Sequence, residues 1–371
     1  MTLAPTTNDT RALQGMLEQL WPGTELTRVS RFGVDEGSSD QETTKGLGYG
    51  KPLLLDVRLA GGEERRLVFH TAAPNAFGHD RRSDRALEMI LAYDTFGLVK
   101  QHAAACDVGA ISTSGEELVS LRDTAEFYLL SEFVEGHVYA DELRSIAQRG
   151  RLEARDKTLV VALADTLVNI HEEKIESTVA YQRAIRDLVG SGEGIFGIID
   201  GFPVDSEVPR ERLERIEQAC VAWRWRLKSR DERGRRTHGD FHPFNIIIDD
   251  SDGVRLLDTS RGSVGDPADD VSCLAINFIF FALGHQGAWE GALQELWYAF
   301  WERYLERSKD AQLLEVVAPF LAWRGLVLAN PAWYPGLEAK HREALLGFVE
   351  RCLEAPRFAL DFCEAVFGEE S

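Results

Sequence analysis

The stretch that decides the reading is HGDFHPFNIIIDDSDGVRLLDTSRGSVGDPADD, residues 238–270. Asp240 precedes Asn245 by five positions, and Asp258 follows Asn245 by thirteen. Two short apolar runs, 246–248 and 254–257, flank Asp249-Asp250-Ser251-Asp252-Gly253. This pattern predicts a β-hairpin whose aspartates form the turn rather than ligate anything. Such a hairpin brings Asn245 and Asp258 near one another at its open end. An amide oxygen and a carboxylate there are the hard oxygen donors that Mg²⁺ takes. Asp240, a few residues upstream, is then placed to accept a proton from an attacking hydroxyl, the division of labour that phosphoryl transfer requires. The same residues carry a second reading. His238, Asp240 and His242 alternate, so on a strand all three would share one side and hold zinc. Pro243 works against a strand there, and zinc leaves Asn245 and Gly265-Asp266-Pro267 without a purpose.

Outward from this segment the chain changes character twice. Downstream and upstream of it lie helices: Leu159, Leu163, Leu167 and Ile170 share one helical face, and a further helix is expected over 209–228. Before residue 131 the pattern is that of a small sheet. A first helix over 9–20 stops at Trp21-Pro22-Gly23, and β-prone runs follow at 26–32, 52–59 and 65–71. Gly61-Gly62 marks the hairpin between the last two. Ser83 is expected to cap a helix through Tyr93, with Leu87, Ile90 and Leu91 on its buried side. Two more strands are expected at 117–121 and 126–133. The loop between the first two runs carries Gly33, Gly37, Gly46, Gly48 and Gly50, yet contains no GxGxxG. The fold class is therefore α+β: a small sheet-rich lobe, residues 1–134, and a larger helical lobe, residues 135–371, with a cleft between them.

Composition narrows the function classes. The 371 residues carry 41 Lys plus Arg against 61 Asp plus Glu, a formal charge of −20, which argues against general nucleic-acid binding. A cationic small molecule suits that surface as well as solubility does. The cysteines at 106, 220, 273, 352 and 363 form no CxxC pair, so neither a disulfide framework nor a cysteine zinc site is indicated. The apolar stretch 271–283 is interrupted by Asn277 and falls short of a membrane span. With no signal-peptide pattern at the start, a soluble, cytoplasmic protein with no membrane partner is expected.

The segment 238–270 resembles the catalytic core of the aminoglycoside phosphotransferase and choline kinase-like family, relatives of protein kinases. HGDFHPFN matches that family's HGDxHxxN, LLD at Asp258 its strand ending in Asp, and GDPADD its GDPxxD. The resemblance implies a bilobal protein-kinase-like fold, with an antiparallel sheet in the N-terminal lobe. It also implies transfer of the terminal phosphate of ATP or GTP to a hydroxyl of a small molecule such as an aminoglycoside, an amino alcohol or a sugar. Asp240 would be the base, His238 a support of the catalytic loop, Asn245 and Asp258 the Mg²⁺ ligands, and Asp266 and Asp270 buttresses. LVNIHEE, ending at Glu173, is similar to the helix before the catalytic loop. LLSEFVEG, 129–136, is similar to the hinge, where Glu132 and Val134 would meet the nucleotide base through their backbone.

One position departs from the family. The lysine expected on the third strand, paired to a helix glutamate at Glu88, is replaced in RRLVFHTA by His70. Histidine is shorter and, with an ordinary pKa of about 6.5, only partly charged at neutral pH. Three explanations stay open: His70 contacts phosphate itself; Lys45, Lys51, Arg65 or Arg66 supplies the charge; or the chain is a non-catalytic, regulatory nucleotide-binding module. For the acceptor, Trp297, Trp301, Trp323, Trp333 and Tyr334 are candidates, with a core role the better-supported expectation for aromatics at helical spacing.

Overall fold

A computed structural model of the chain describes residues 10–31, 52–259 and 261–368. The glycine-rich loop, with Lys45 and Lys51, lies outside the described residues. The chain divides into two compact units, 1–131 and 132–371. The first is built from small antiparallel sheets and the second is mainly helical, the α+β class expected.

The first unit runs α1 (Thr10–Leu20), β1 (Glu25–Arg31), β2 (Leu53–Arg58), β3 (Glu64–Phe69), α2 (Arg82–Phe96), β4 (Gly109–Ile111) and β5 (Leu118–Ser120). Strands β1, β2 and β3 pair antiparallel in sequence order, and the Gly61-Gly62 turn joins the last two as expected. Leu13 and Leu17 of α1 bury against Leu55 and Val57 of β2. That helix therefore occupies the buried face of the sheet, and α2 is left without one. Its Leu87 and Leu91 are exposed and none of its residues is buried, contrary to the buried stripe expected. Periodicity announces an apolar face but not what will cover it. The cap differs too: Arg81 precedes the helix, and its backbone N–H donates to Asp84 Oδ2 at 2.8 Å, so the cap is not Ser83. Residues 126–133 form no strand, and Phe127, Tyr128, Leu129, Leu130 and Phe133 are exposed. A strand needs a neighbour's ladder, and among the described residues β4 and β5 pair only with each other.

The second unit begins with β6 (His137–Val138), α3 (Tyr139–Arg149), α4 (Ala154–His171), α5 (Thr178–Gly190), α6 (Ile195–Asp200) and α7 (Arg210–Leu227). Four short strands follow: β7 (Arg235–Arg236), β8 (Ile246–Ile248), β9 (Val254–Leu256) and β10 (Val264–Gly265). The rest is α8 (Ala268–Phe281), α9 (Ala292–Ser308), α10 (Leu313–Val316), α11 (Ala318–Ala329), α12 (Ala339–Glu354) and α13 (Phe362–Phe367). The apolar run at 271–283 becomes α8, which continues as a π-turn to Gln286. That stretch of 19 residues is long and apolar enough to span a membrane by composition, and it is mostly buried inside the unit. A helix apolar on every side belongs where every side is covered, and α8 packs against α9 and α11 while α4 lies on α9. Each Phe or Leu buried there contributes about 1.5–3 kcal/mol. Trp297 and Trp301 are fully buried in this core, the role favoured from their spacing.

The hairpin β8–β9 forms with Ile246 opposite Leu256, and β6 extends it on the β8 side. Gly136 permits this close approach: at φ +134° a Cβ would stand 2.4 Å from the carbonyl oxygen of Ile248. The hairpin is tied at its tip as well, where Arg155 of α4 bridges Asp252 (2.8 Å) and Glu142 of α3 (2.6 Å), the latter also meeting His137 at 2.6 Å. Within the turn, Asp249 Oδ1 accepts from the Ser251 hydroxyl, the Gly253 N–H and the Ser251 N–H, at 2.6, 2.8 and 2.9 Å. These donors hold its carboxyl down at about 2. With the folded value below the ordinary one, the stabilisation is complete above about pH 4 and is lost as pH falls through 2. Asp249→Ala is expected to lower Tm at neutral pH, with the gap to wild type closing as pH falls below about 4. Thermal melts across that range check this, and equal Tm values at neutral pH would refute it.

Candidate active site

Two aspartates at the head of α8 organise the loop that precedes the hairpin. Asp270 accepts from the backbone N–H of His238 (2.7 Å, Oδ2) and of Gly239 (2.8 Å, Oδ1), binding two successive peptide groups at once. Its position in the first turn of α8 suits a carboxylate electrostatically. Oδ2 also lies 3.0 Å from His171 Nε2, and His171 Nδ1 lies 2.7 Å from the Tyr304 hydroxyl. His171 is therefore a buried brace. Asp266 is held by the fork of Arg233 (two contacts of 2.8 Å), the Tyr181 hydroxyl (3.0 Å) and the Ala268 N–H (3.0 Å). Arg233 grips Asp310 with the same fork. Burial alone would lower the pKa of Arg233, but Asp266 and Asp310 outweigh it and raise the value. Both aspartates act as the buttresses that the resemblance implies.

Gly239 is obligatory at its place. Its φ is +84°, and a Cβ would stand 2.7 Å from the carbonyl oxygen of Gly262. His238, buried, accepts on Nδ1 from the Asp240 N–H at 3.3 Å and meets Phe241 edge-on. Residues 238–242 form no strand, and His242 N–H instead turns back to the Asp240 carbonyl at 2.7 Å. The alternation behind a zinc site is thus lost, and among the described residues no group of three His, Cys, Asp or Glu side chains converges to hold a metal. Burial pushes His242 down to about 4, which leaves its ring neutral at physiological pH.

The hairpin register then sets the rest. Leu257 N–H donates to the Asn245 carbonyl at 2.9 Å, so Asn245 and Asp258 stand at the open end as expected. The Asn245 side-chain amide donates to both the carbonyl and the Oδ2 of Asp240, each at 3.1 Å. With its nitrogen committed to Asp240, Asn245 keeps its amide oxygen for another partner. Asp258 adopts φ +56°, a conformation a non-glycine residue rarely takes and one that clusters at functional sites. The donors present, an amide oxygen and carboxylates, fit a hard cation such as Mg²⁺.

What the sequence reading missed is a cation behind Asp240. Arg324, on α11, donates from Nη1 to Asp240 Oδ1 at 2.9 Å and from Nη2 to Asp269 Oδ1 at 2.8 Å. Arg261 lies 3.8 Å from Asp240 Oδ1, and both guanidiniums stack on Trp323 (4.7 and 3.9 Å). Burial pushes the Asp240 carboxyl up, but Arg324 and Arg261 outweigh it and hold it below its ordinary range. The signal was available: in APFLAWRGLVLA, the α11 sequence, Arg324 is the one charged residue. Trp323, named among the acceptor candidates, serves as the platform, while Trp333 is exposed and Tyr334 packs on Phe280.

In the first unit, Glu88 faces a different histidine from the one expected. Its Oε2 lies 3.1 Å from His79 Nε2, whereas His70 is exposed just beyond β3. Glu132 is exposed and Val134 half-buried at the start of the second unit.

The sequence model of the phosphotransferase enzyme family, APH, matches residues 58–307, more than half of the chain, with Asp240, Asn245, Asp258, Asp266 and Asp270 inside the match and Arg324 beyond it. The chain belongs to that family. It is accordingly an enzyme, a small-molecule kinase in class. No curated protein matches the sequence. Among solved structures the chain is similar to an ethanolamine kinase of Plasmodium vivax, at 13% identity over 82% of this chain and 79% of that one, TM-score 0.36. It is also similar to a choline kinase from Streptococcus pneumoniae (15% identity, 92% and 97% covered, TM-score 0.35). A third is an aminoglycoside phosphotransferase from Streptomyces rimosus in complex with ADP and streptomycin, at 18% identity, 72% and 90% covered, TM-score 0.31. The loop that opens with His238 and Gly239 is held by Asp270. Asp270→Ala strands two buried N–H groups and His171, and is expected to cost about 3 kcal/mol or more in urea denaturation. A loss under about 1 kcal/mol would contradict the bracing role.

Proposed function

We propose that the chain transfers the terminal phosphate of ATP or GTP to a hydroxyl of a small molecule, cationic acceptors included, with Asp240 as the base. The observation that carries this is the hydrogen bond between Asn245 and Asp240 at the open end of the hairpin, in a chain of the phosphotransferase family. Asp240 Oδ1 accepts from both Arg324 and the Cys273 thiol, whereas among the described residues Oδ2 accepts from Asn245 alone and keeps a lone pair for an incoming hydroxyl. The acceptor oxygen forms its bond to the γ-phosphorus as the bond to the bridging oxygen of the diphosphate breaks, and the hydroxyl proton passes to Asp240. The transition state is loose, so the nucleophile carries little charge and orientation matters more than basicity. A carboxylate held below its ordinary range suits that task. Asn245 and Asp258 would hold Mg²⁺, which when bound neutralises phosphate charge.

The position of His70 favours a second reading, nucleotide binding without transfer, because Glu88 engages His79 and not His70. A panel of aminoglycosides, choline, ethanolamine, macrolides and sugars, assayed with ATP and GTP, separates the two. Transfer to any acceptor, with Asp240→Ala reducing it by about 10³-fold or more while nucleotide affinity stays within about threefold, supports the Asp240 mechanism. Wild-type turnover in Asp240→Ala would sink it. Thermal stabilisation by Mg²⁺ and nucleotide with no transfer across the panel would favour binding alone. Asp258→Ala is expected to weaken nucleotide binding in the presence of Mg²⁺ by about tenfold, read by fluorescence titration. His70→Lys tests the remaining gap: higher nucleotide affinity places residue 70 at phosphate, and unchanged affinity places it elsewhere.

A further inference from the structure

Arg324 is an unusual side chain to find where it is. It is 7% exposed, sits in a helix otherwise composed of apolar residues, and its buried Nε–H has no acceptor among the described residues. A buried cation bridging two carboxylates contributes little to stability compared with apolar packing of the same volume. Stability alone therefore gives a poor account of its presence. Its geometry gives a better one. One arm of the guanidinium meets Asp240 Oδ1 at 2.9 Å, and the other is tethered to Asp269 Oδ1 at 2.8 Å and the Gly239 carbonyl at 3.3 Å. The plane of the group rests on Trp323 at 3.9 Å, and Trp323 is itself fixed by its Nε1–H to the Glu193 carbonyl at 2.9 Å. Asp240 Oδ2 is held from the opposite side by Asn245.

We propose that Arg324 is a positioning residue for phosphoryl transfer: clamped between Asp269, Gly239 and Trp323, it fixes the side chain of Asp240 in the orientation that receives the acceptor hydroxyl. The inference rests on Asp240 being the base. Asp240 is carried on a loop, and a loop side chain gains precision when a rigid helix holds it. The planar fork of arginine meets Asp240 with one arm and its tethers with the other, a geometry that a lysine ammonium does not reproduce.

The test uses the full chain with Mg²⁺ and ATP. It reads phosphate release with water as acceptor, transfer to any productive member of the panel, and nucleotide affinity by fluorescence titration. Arg324→Gln is expected to lower kcat about 100-fold with nucleotide affinity changed less than about threefold, and Arg324→Lys to recover about tenfold of that loss. Asp269→Asn, which loosens one tether, is expected to fall between wild type and Arg324→Gln. Wild-type kcat in Arg324→Gln would overturn the proposal. So would a parallel loss of kcat, nucleotide affinity and Tm, the mark of a purely structural role. Should Arg324→Gln fail to fold, Arg324→Lys decides: wild-type kcat overturns the role, and reduced kcat with intact nucleotide affinity supports it. Asp240→Asn separates this inference from the reading beneath it. If Asp240→Asn is inactive and Arg324→Gln is fully active, only the role of Arg324 falls. If Asp240→Asn turns over normally, both fall.

Discussion

The second unit depends on one carboxylate. Asp270 binds the N–H groups of His238 and Gly239 at once, and through His171 it is linked to Tyr304 on α9. A loop has no ladder of its own, so its peptide groups must be satisfied by something rigid. Here that is the first turn of a deeply buried helix, where a negative charge is also favoured by the aligned peptide dipoles. The loop that carries Asp240 is thereby registered to the core rather than to its flanking segments. Asp266, four residues earlier, performs a parallel task with Arg233, which it shares with Asp310.

The third aspartate of this run, Asp269, faces the other way. It reaches Arg324, and Arg324 reaches Asp240. Three acidic residues within five positions thus serve three neighbours: a distant arginine fork, a buried cation on α11, and two backbone amides. Crowding so many carboxylates is tolerable because each meets buried donors, and burial of the cations is tolerable because each arginine bridges two carboxylates. Much of the acid excess of the chain is surface charge, but at this place the negative groups are matched donor for donor.

How much of this was legible follows from the range of the interactions. The hairpin, the Asn245–Asp258 juxtaposition and the α8 helix are set by residues within about one turn or one strand of each other, and short-range patterns report them. Arg324 and Asp240 are 84 residues apart, and nothing local to either names the other. The lone charge in α11 marked a buried cation, not its partner. In the first unit the same limit produced errors. The apolar stripe of α2 and the run at 126–133 were correctly seen as apolar, but α1 had taken the sheet face and no described strand pairs with the run. Glu88 met His79, nine residues before it on the incoming loop, rather than the histidine at the end of β3.

The hairpin that carries Asn245 and Asp258 is fastened at both ends, to Asp240 at its mouth and through Asp252, Arg155 and Glu142 to α4 and α3 at its tip. A hairpin of three-residue strands left to itself opens on the microsecond scale. Clamped in this way, its opening is coupled to that of the helices. The two proposed ligand positions therefore share the unfolding cooperativity of the whole unit. Affinity for a cation held there is set by a preorganised frame and not by the closing of a loose turn.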